Sequence, residues 1–388
     1  VENAAKIALA VKERNPETRV LVGGPHITAL SEETLRRFPV FDFGVLGEGE
    51  AALPDLLEVL EGKMNPDRVE SAVFRQGEKV RVNPRRRFIE DLDRLPFPAF
   101  DLLPEFPRAY RAPFLNYQKG PTASLTSSRG CPQACTFCDR SVFGNRYRYF
   151  SEDYLWDLIS LLHRQYGIRH LVFTDDQFAA FRPRLVRLCE KLAGGGLDLR
   201  WNCDARVDSV DPDLLRIMKR AGCWMISYGI ESGSQRILDH LRKGIMLDQV
   251  EQALRWTQEA GIRAKGLFMI GYPEETEETL GVTLAFIGRV RLDEMNLSFL
   301  TPYPGTEIYR QAKGNPNFME DWARMNALNC LIPPAAVTCR ELEKAYGKII
   351  RRFYMRPGVT FSYLSLLLQS PENRSRLWAG LSGWLRRG

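Results

Sequence analysis

Ala123-Ser124-Leu125-Thr126-Ser127-Ser128-Arg129-Gly130-Cys131-Pro132-Gln133-Ala134-Cys135-Thr136-Phe137-Cys138-Asp139 decides how this chain is read. A short strand-like segment gives way to a glycine turn and then to three cysteines spaced Cys-x3-Cys-x2-Cys. Three thiolates so close together make a poor disulfide set. They make a good soft-metal site, because thiolate suits iron–sulfur clusters, copper and zinc. Three ligands for a cluster of four irons leave one iron open, and an open coordination position is where substrate chemistry can occur. Structural zinc is the alternative, and it wants four ligands, usually from two paired Cys/His motifs. The chain has no second Cys-x2-Cys, and His26, His163, His170 and His240 show no paired spacing.

Working outward, strand and helix patterns alternate six times from Ala123. The strands are expected at Ala123–Thr126, His170–Thr174, Leu199–Cys203, Met225–Gly229, Ala264–Ile270 and Glu294–Leu300. Helices are expected between them at Glu152–Gln165, Arg184–Leu192, Pro212–Ala221, Leu247–Ala260 and Glu275–Val290. Six such units predict a partial barrel whose active face is the carboxyl end of its strands. The cysteine loop follows the first strand and so falls on that face.

Upstream, residues 1–82 read as a second α/β unit. Helix Glu2–Arg14, strand Arg19–Val22, helix Ser31–Arg37, strand Phe43–Leu46 and a helix ending at Leu60 predict a parallel, doubly wound sheet. Ligands bind such sheets at the carboxyl ends of strands. Two glycine turns lie there, Gly23-Gly24-Pro25-His26 and Gly47-Glu48-Gly49-Glu50. Segments Ser71–Arg75 and Lys79–Val82 around Gln76-Gly77-Glu78 predict a hairpin. Residues 83–121 contain seven prolines and predict an extended connector.

The cysteine spacing resembles the signature of the radical S-adenosylmethionine (radical SAM) superfamily. That resemblance implies a 4Fe–4S cluster on Cys131, Cys135 and Cys138, with SAM bound at the open iron. Reduction by a donor such as flavodoxin or ferredoxin would then split SAM into methionine and a 5′-deoxyadenosyl radical. It also implies SAM-pocket roles at the strand ends: Phe137 near the adenine, Asp175 and Asp176 toward the ammonium, Asn202, Asp204 and Arg206 toward ribose or carboxylate, and Glu231 in Gly229-Ile230-Glu231-Ser232. Each acid has a structural alternative, helix capping for Asp176 and Asp204 and an ion pair for Glu231. Arg146 has two readings, facing the cluster or standing exposed.

Ahead of that motif, the two glycine turns resemble the back half of a cobalamin-binding domain over about residues 1–62, which implies cobalamin contacts at Gly23, Gly24, Gly47 and Gly49. Leu95-Pro96-Phe97-Pro98-Ala99-Phe100-Asp101 resembles the same family's interdomain linker. The chain begins at Val1 and is read as lacking the domain's front half. His26 is not assigned as a cobalt ligand. The expected fold class is therefore α/β: a partial (β/α)6 TIM-like radical SAM barrel (residues 122–335) preceded by a truncated doubly wound cobalamin-binding-type domain (1–82) and a linker (83–121). A basic helical segment (336–388) follows.

The family includes radical methyltransferases and an anaerobic ring cyclase, so the expected activity is cobalamin-dependent radical methylation or carbon-skeleton modification of a small or lipid-like substrate. A tRNA or protein methylthiolating radical SAM enzyme is the alternative. Such enzymes carry a second cysteine trio in the N-terminal domain, and residues 1–82 contain no cysteine. From a different class, a non-catalytic iron–sulfur or zinc scaffold would use the same thiols.

Composition is that of an ordinary soluble protein, 44% hydrophobic and 26% charged, and no apolar run reaches membrane-span length. Cys189, Cys203, Cys223, Cys330 and Cys339 are read as single packing residues, which fits a reducing, cytoplasmic setting. The net charge is +6, and Arg340–Gly388 alone holds ten Lys/Arg against three Asp/Glu. The rest of the chain is thus nearly neutral, and no basic groove for nucleic acid is expected. Leu377, Leu381, Trp384 and Leu385, with Trp378 and flanking Arg374, Arg376, Arg386 and Arg387, have two readings. One is a helix lying in a membrane interface, the other a helix packed on the barrel.

Overall fold

The computed structural model describes residues 1–110, 112 and 117–369. The N-terminal unit runs α1 (Glu2–Arg14), β1 (Leu21–Val22), α2 (Pro25–Ala29), α3 (Ser31–Arg37), β2 (Phe43–Val45), α4 (Ala52–Leu60), β3 (Ala72–Gln76) and β4 (Lys79–Val82). Its four strands stand in sequence order. Strands β1 and β2 are parallel, with Leu21 opposite Phe43, while β2–β3 and β3–β4 are antiparallel. The β1–β2 pair is the parallel part expected here and β3–β4 is the expected hairpin; the antiparallel β2–β3 pair makes the sheet mixed. The tight turn at Gly77 is too short for a crossover and returns the chain antiparallel. Ile27, Leu35, Phe41, Leu46 and Val73 form one core of this unit, and Val45, Ala52, Leu56, Val69, Ala72 and Phe74 a second.

The larger unit opens with β5 (Thr122–Leu125), a small antiparallel pair β6 (Ser128–Arg129) and β7 (Arg148–Tyr149), α5 (Glu152–Tyr166) and β8 (His170–Phe173). It continues through α6 (Arg182–Gly194), β9 (Arg200–Ala205), α7 (Pro212–Arg220), β10 (Cys223–Glu231), α8 (Gln235–His240), α9 (Leu247–Glu259), β11 (Arg263–Ile270), α10 (Glu277–Arg289), β12 (Glu294–Phe299) and α11 (Glu307–Ala312). Six strands pair in the order β12-β11-β10-β9-β8-β5, all parallel. Strands β5 and β12 end the order, so the barrel is partial.

Period-two alternation decides which face meets the helices. Leu171, Phe173, Trp201, Cys203, Ile226, Tyr228, Ala264, Phe268, Met295 and Leu297 lie in one continuous core that includes Leu158, Leu188, Leu215 and Leu254 of the surrounding helices. The intervening positions face inward, and one register row across the sheet is Asp204, Ser227, Lys265, Glu294. The helix starts carry the capping groups their sequences suggest. Ser151 accepts from the Tyr154 amide, Asp211 from Leu214, and Thr276 from Thr279. Each such cap contributes about 1 kcal/mol.

Beyond β12, α12 (Cys339–Tyr354) and α13 (Pro357–Gln369) cover the barrel's flank. Tyr346 stacks on Phe299, Tyr354 donates to the Met295 carbonyl, and Leu366 packs with Trp224 and Met225. One expectation needs correcting: Cys330 and Cys339 form a disulfide rather than packing as separate thiols. They lie nine residues apart, and the chain doubles back to bring their Cα atoms within 5.6 Å. Cys189, Cys203 and Cys223 are buried free thiols, as their spacing suggested. No helix among the described residues is long and apolar enough to cross a membrane. Leu377, Trp378, Leu381, Trp384 and Leu385 lie outside the described residues.

Candidate functional site

The cysteine loop is tethered along its length. Gly130 has φ 82°, and a side chain there would run into the Arg146 and Phe143 carbonyls. Only glycine combines that backbone with so close an approach. Farther on, Thr136 donates its amide to the Leu241 carbonyl and accepts from the Ile308 amide, which pins the loop to the ends of α8 and the start of α11. Cys135 is buried, Cys131 half-buried and Cys138 exposed.

Cys138 hydrogen-bonds Cys135 and, with Lys243 and Arg206 nearby, pulls the Cys135 thiol down to about 6. The same hydrogen bond, helped by the protein crowded around the partly exposed side chain, pushes Cys138 up. Burial also raises Cys131, whose Sγ lies 3.9 Å from Gln177 Oε1. No three His, Cys, Asp or Glu side chains among the described residues converge on one point as a single ion requires. A 4Fe–4S cluster spreads its thiolates over separate irons, so this three-thiol loop beside two cations suits it better than it suits zinc.

The strand-end residues separate into distinct roles. Asp175 is buried and fully engaged: the Ser127 amide and hydroxyl and the Ser128 hydroxyl all donate to it. It fastens the start of the cysteine loop to β8. Asp176 is exposed, takes only the Gly130 amide, and is raised by crowding from the protein around it. Asn202 is engaged by His170, its Oδ1 accepting from His170 Nε2 at 2.8 Å. Asp204 stands in the inward row beside Ser227, two residues before Arg206 and thus deeper in the barrel; its tip is exposed, yet the surrounding wall raises its carboxyl.

Arg206 is buried and forked onto Asp208 at 2.8 and 2.7 Å. Burial works against its charge, but that pair holds its pKa above the usual value. Glu231 does form the ion pair expected of its alternative role, with Lys243 at 2.8 Å, both side chains 9% exposed. The Lys243 ammonium lies 5.8 Å from the centre of the Phe137 ring, and Phe137 packs with Ile237, Leu241, Tyr272, Leu300 and Ile308. Gly229 makes room for this pair, since a Cβ there would sit 2.8 Å from Glu231 Oε1 and 2.9 Å from Lys243 Nζ. Arg146 is exposed and pairs with Glu90.

Replacing Glu231 with alanine leaves the buried Lys243 ammonium without its partner, which should lower stability, and should weaken SAM binding by about 1.5–3 kcal/mol, the usual loss for a charged hydrogen bond. Calorimetry on the reconstituted protein measures this, and unchanged affinity would remove Glu231 from the pocket.

The two glycine turns end β1 and β2, with positive φ at Gly24 (100°) and Gly47 (75°). Around Gly23 and Gly24 no atom lies where a side chain would project, so that turn leaves room for a ligand to approach, whereas Gly47 is closed over by Arg85. Gly49 meets only Val45, at 3.9 Å. His26 is turned onto Trp322, ring centres 4.4 Å apart, and burial lowers it to about 4.

Sequence reading missed what joins the two units. Glu48, only 6% exposed, accepts from Arg129 and Arg148, each at 2.8 Å, and from the Ile89 amide. Arg129 also pairs with Glu50. Arg129 sits two residues before Cys131, so the second glycine turn is ion-paired to the root of the cysteine loop. The doubled Gly-Glu in Gly47-Glu48-Gly49-Glu50 was the available signal. Lys243 carried no motif signal at all.

The comparisons agree with this arrangement. A radical SAM superfamily model matches residues 125–287, and a B12-binding-domain model matches residues 1–57. An uncharacterized methyltransferase of Pyrococcus horikoshii, PH0819, is 32% identical over 92% of this chain and 77% of its own length. The anaerobic magnesium-protoporphyrin IX monomethyl ester cyclase of Rubrivivax gelatinosus is 27% identical over 100% of this chain and 69% of its own. Among solved structures, the cobalamin-dependent radical enzyme OxsB with aqua-cobalamin and SAM bound aligns at TM-score 0.70 and 19% identity, over 98% of this chain and 64% of that one. TsrM from Kitasatospora setae, with cobalamin and a 4Fe–4S cluster, aligns at 0.69 and 18%, over 90% of this chain and 75% of that one. The cofactors that go with these matches are a 4Fe–4S cluster, SAM and cobalamin. With its cysteine loop, inward cations and glycine-turn sheet, this chain belongs to the cobalamin-binding-domain-containing radical SAM family.

Proposed function

We propose that this chain cleaves SAM at a cluster held by Cys131, Cys135 and Cys138 and uses the product to methylate a small, polar substrate with the help of cobalamin. The observation that carries this reading is the buried Glu231–Lys243 pair, with Arg206, beside the cysteine loop at the carboxyl ends of the strands. Bound there, cluster and SAM supply one-electron cleavage of the S–C bond and abstraction of a substrate hydrogen. The chain's own residues orient and shield. Arg206 and Asp176 offer opposite charges for the carboxylate and ammonium of SAM. Glu231 is fixed by Lys243 for a ribose hydroxyl, and Phe137 gives an apolar wall for adenine. Gly23 and Gly24 leave an open approach for the corrinoid, while Gly47 and Gly49 shape the turn that carries Glu48.

The inner face of the barrel supports a polar substrate. Ser124, Thr126, Thr174, Asp204 and Asn296 are exposed there, and Lys265 pairs with Glu294 at 2.7 Å in the same row as Asp204. A bare hydrocarbon would strip water from these groups without replacing its hydrogen bonds. Methyl transfer is favoured over cyclisation because the 32%-identical relative is named a methyltransferase. Supplying labelled SAM to the reduced, corrinoid-loaded protein with a panel of polar candidates tests this. Methyl transfer gives S-adenosylhomocysteine alongside 5′-deoxyadenosine, whereas deoxyadenosine alone with a modified substrate would point to rearrangement.

The basic, leucine- and tryptophan-bearing tail supports peripheral contact with an anionic membrane. Co-sedimentation with anionic vesicles should fall when residues 371–388 are removed. Equal sedimentation with and without them would leave that segment no membrane role.

A further inference from the structure

Tyr272 lies two residues past the end of β11 and is fully buried, packed in the same apolar cluster as Phe137 of the cysteine loop. Its hydroxyl finds no hydrogen-bond partner among the described residues. A buried, unpaired O–H is costly, and folded proteins seldom keep one without a use. A purely apolar role would be served by phenylalanine.

Four groups that can carry negative charge act on this hydroxyl: Glu231, Glu275, Cys138 and Cys135. The two carboxylates are already engaged. Glu231 holds Lys243, and Glu275 accepts from the Thr279 hydroxyl and the Gly271 amide. Of the four, the two cysteines belong to the loop that packs on this apolar cluster, through Phe137 and through the Thr136 backbone bonds to Leu241 and Ile308. Tyr228 makes a useful contrast. It is equally buried, but its hydroxyl is paired with Thr257 Oγ1 at 2.7 Å within the core between sheet and helices.

We propose that the Tyr272 hydroxyl donates a hydrogen bond to the sulfur of the cluster held by Cys135 and Cys138 and so raises its reduction potential. The proposal rests on the cluster reading above. Hydrogen bonds to cluster sulfur stabilise the more negative, reduced state, and such outer partners are a main lever on the potential. Tyr272 is thus a positioning and tuning residue. It leaves the set of iron ligands unchanged.

The test is an EPR-monitored redox titration of the anaerobically reconstituted protein without SAM, comparing wild type, Tyr272→Phe and Tyr228→Phe. Tyr272→Phe should lower the potential by about a tenfold change in the reduction equilibrium, about 59 mV for one electron. The melting temperature of its cluster-free form should stay the same or rise. Tyr228→Phe should show the reverse: a lower melting temperature and an unchanged potential. A potential for Tyr272→Phe equal to wild type, or an equal shift in both variants, overturns the proposal. If Tyr272→Phe fails to hold a cluster, Tyr272→Leu supplies the same readout; if neither holds one, Tyr272 is structural and the proposal fails. A wild-type protein that takes up no cluster would instead sink the reading of the cysteines.

Discussion

Cys135→Ala is expected to abolish the brown absorbance of the anaerobically reconstituted protein and to reduce 5′-deoxyadenosine formation to that of a protein-free control. Cys135 is the buried member of the trio and sits beside Thr136, whose backbone pins the loop at both neighbours. Removing its thiol cuts the ligand set from three to two, and the loop offers no replacement. The side-chain oxygen that contacts this trio, Gln177 Oε1 at 3.9 Å from Cys131 Sγ, is a hard neutral donor that suits iron poorly. Cys189→Ser is the matched control, because Cys189 is fully buried among the helices of the barrel and should affect packing alone. A Cys135→Ala protein with a full cluster spectrum would mean that the cluster lies elsewhere.

Glu48→Ala should be the most destabilising single change at the junction of the two units. It strips the partner from Arg148, 3% exposed, and from Arg129, 12% exposed, while both stay in place. Breaking a buried pair from one side typically costs about 3–5 kcal/mol, because the remaining charge is uncompensated. Arg129 keeps Glu50, and Arg148 keeps the Ile89 and Phe143 carbonyls, which places the expectation near the low end. Urea denaturation of the cluster-free protein measures the loss, and slower cluster uptake should accompany it, since Arg129 leads directly into Gly130 and Cys131. Glu48→Gln, which preserves shape and can still accept from Arg148, should lose less. A Glu48→Ala protein within about 1 kcal/mol of wild type would show that water reaches this node and that it behaves as a surface pair.

The barrel was legible because its strands are short apolar runs separated by well-capped helices. The cores of all six strands lie where alternation placed them; β10 extends further at both ends, to Cys223 and Glu231, than its apolar run suggested. Asp204 in β9 and Arg206 just past its end are two residues apart and so fall on the same side of the strand. What the pattern could not convey was depth along that face. Asp175, Asp204 and Arg206 all looked like strand-end pocket residues, yet Asp175 is consumed by two serines and Asp204 stands in the row of Ser227 and Lys265. Neighbours across strands decide such matters, and they are remote in sequence. The same holds for Lys243 and Glu231, twelve residues apart and joined only by the path of α8, and for Glu48 and Arg148, one hundred residues apart. The Cys330–Cys339 bridge was missed because neither cysteine belongs to a motif, and only the fold of the loop before α12 brings them together.

The central claim is that Cys131, Cys135 and Cys138 hold a cluster that cleaves SAM. The most direct measurement is anaerobic incubation of the iron- and sulfide-reconstituted chain with SAM and dithionite, with 5′-deoxyadenosine quantified by mass spectrometry. The expected result is deoxyadenosine and methionine formed together, and only when protein, cluster and reductant are all present. A protein that carries a full 4Fe–4S spectrum yet leaves SAM intact would contradict the claim.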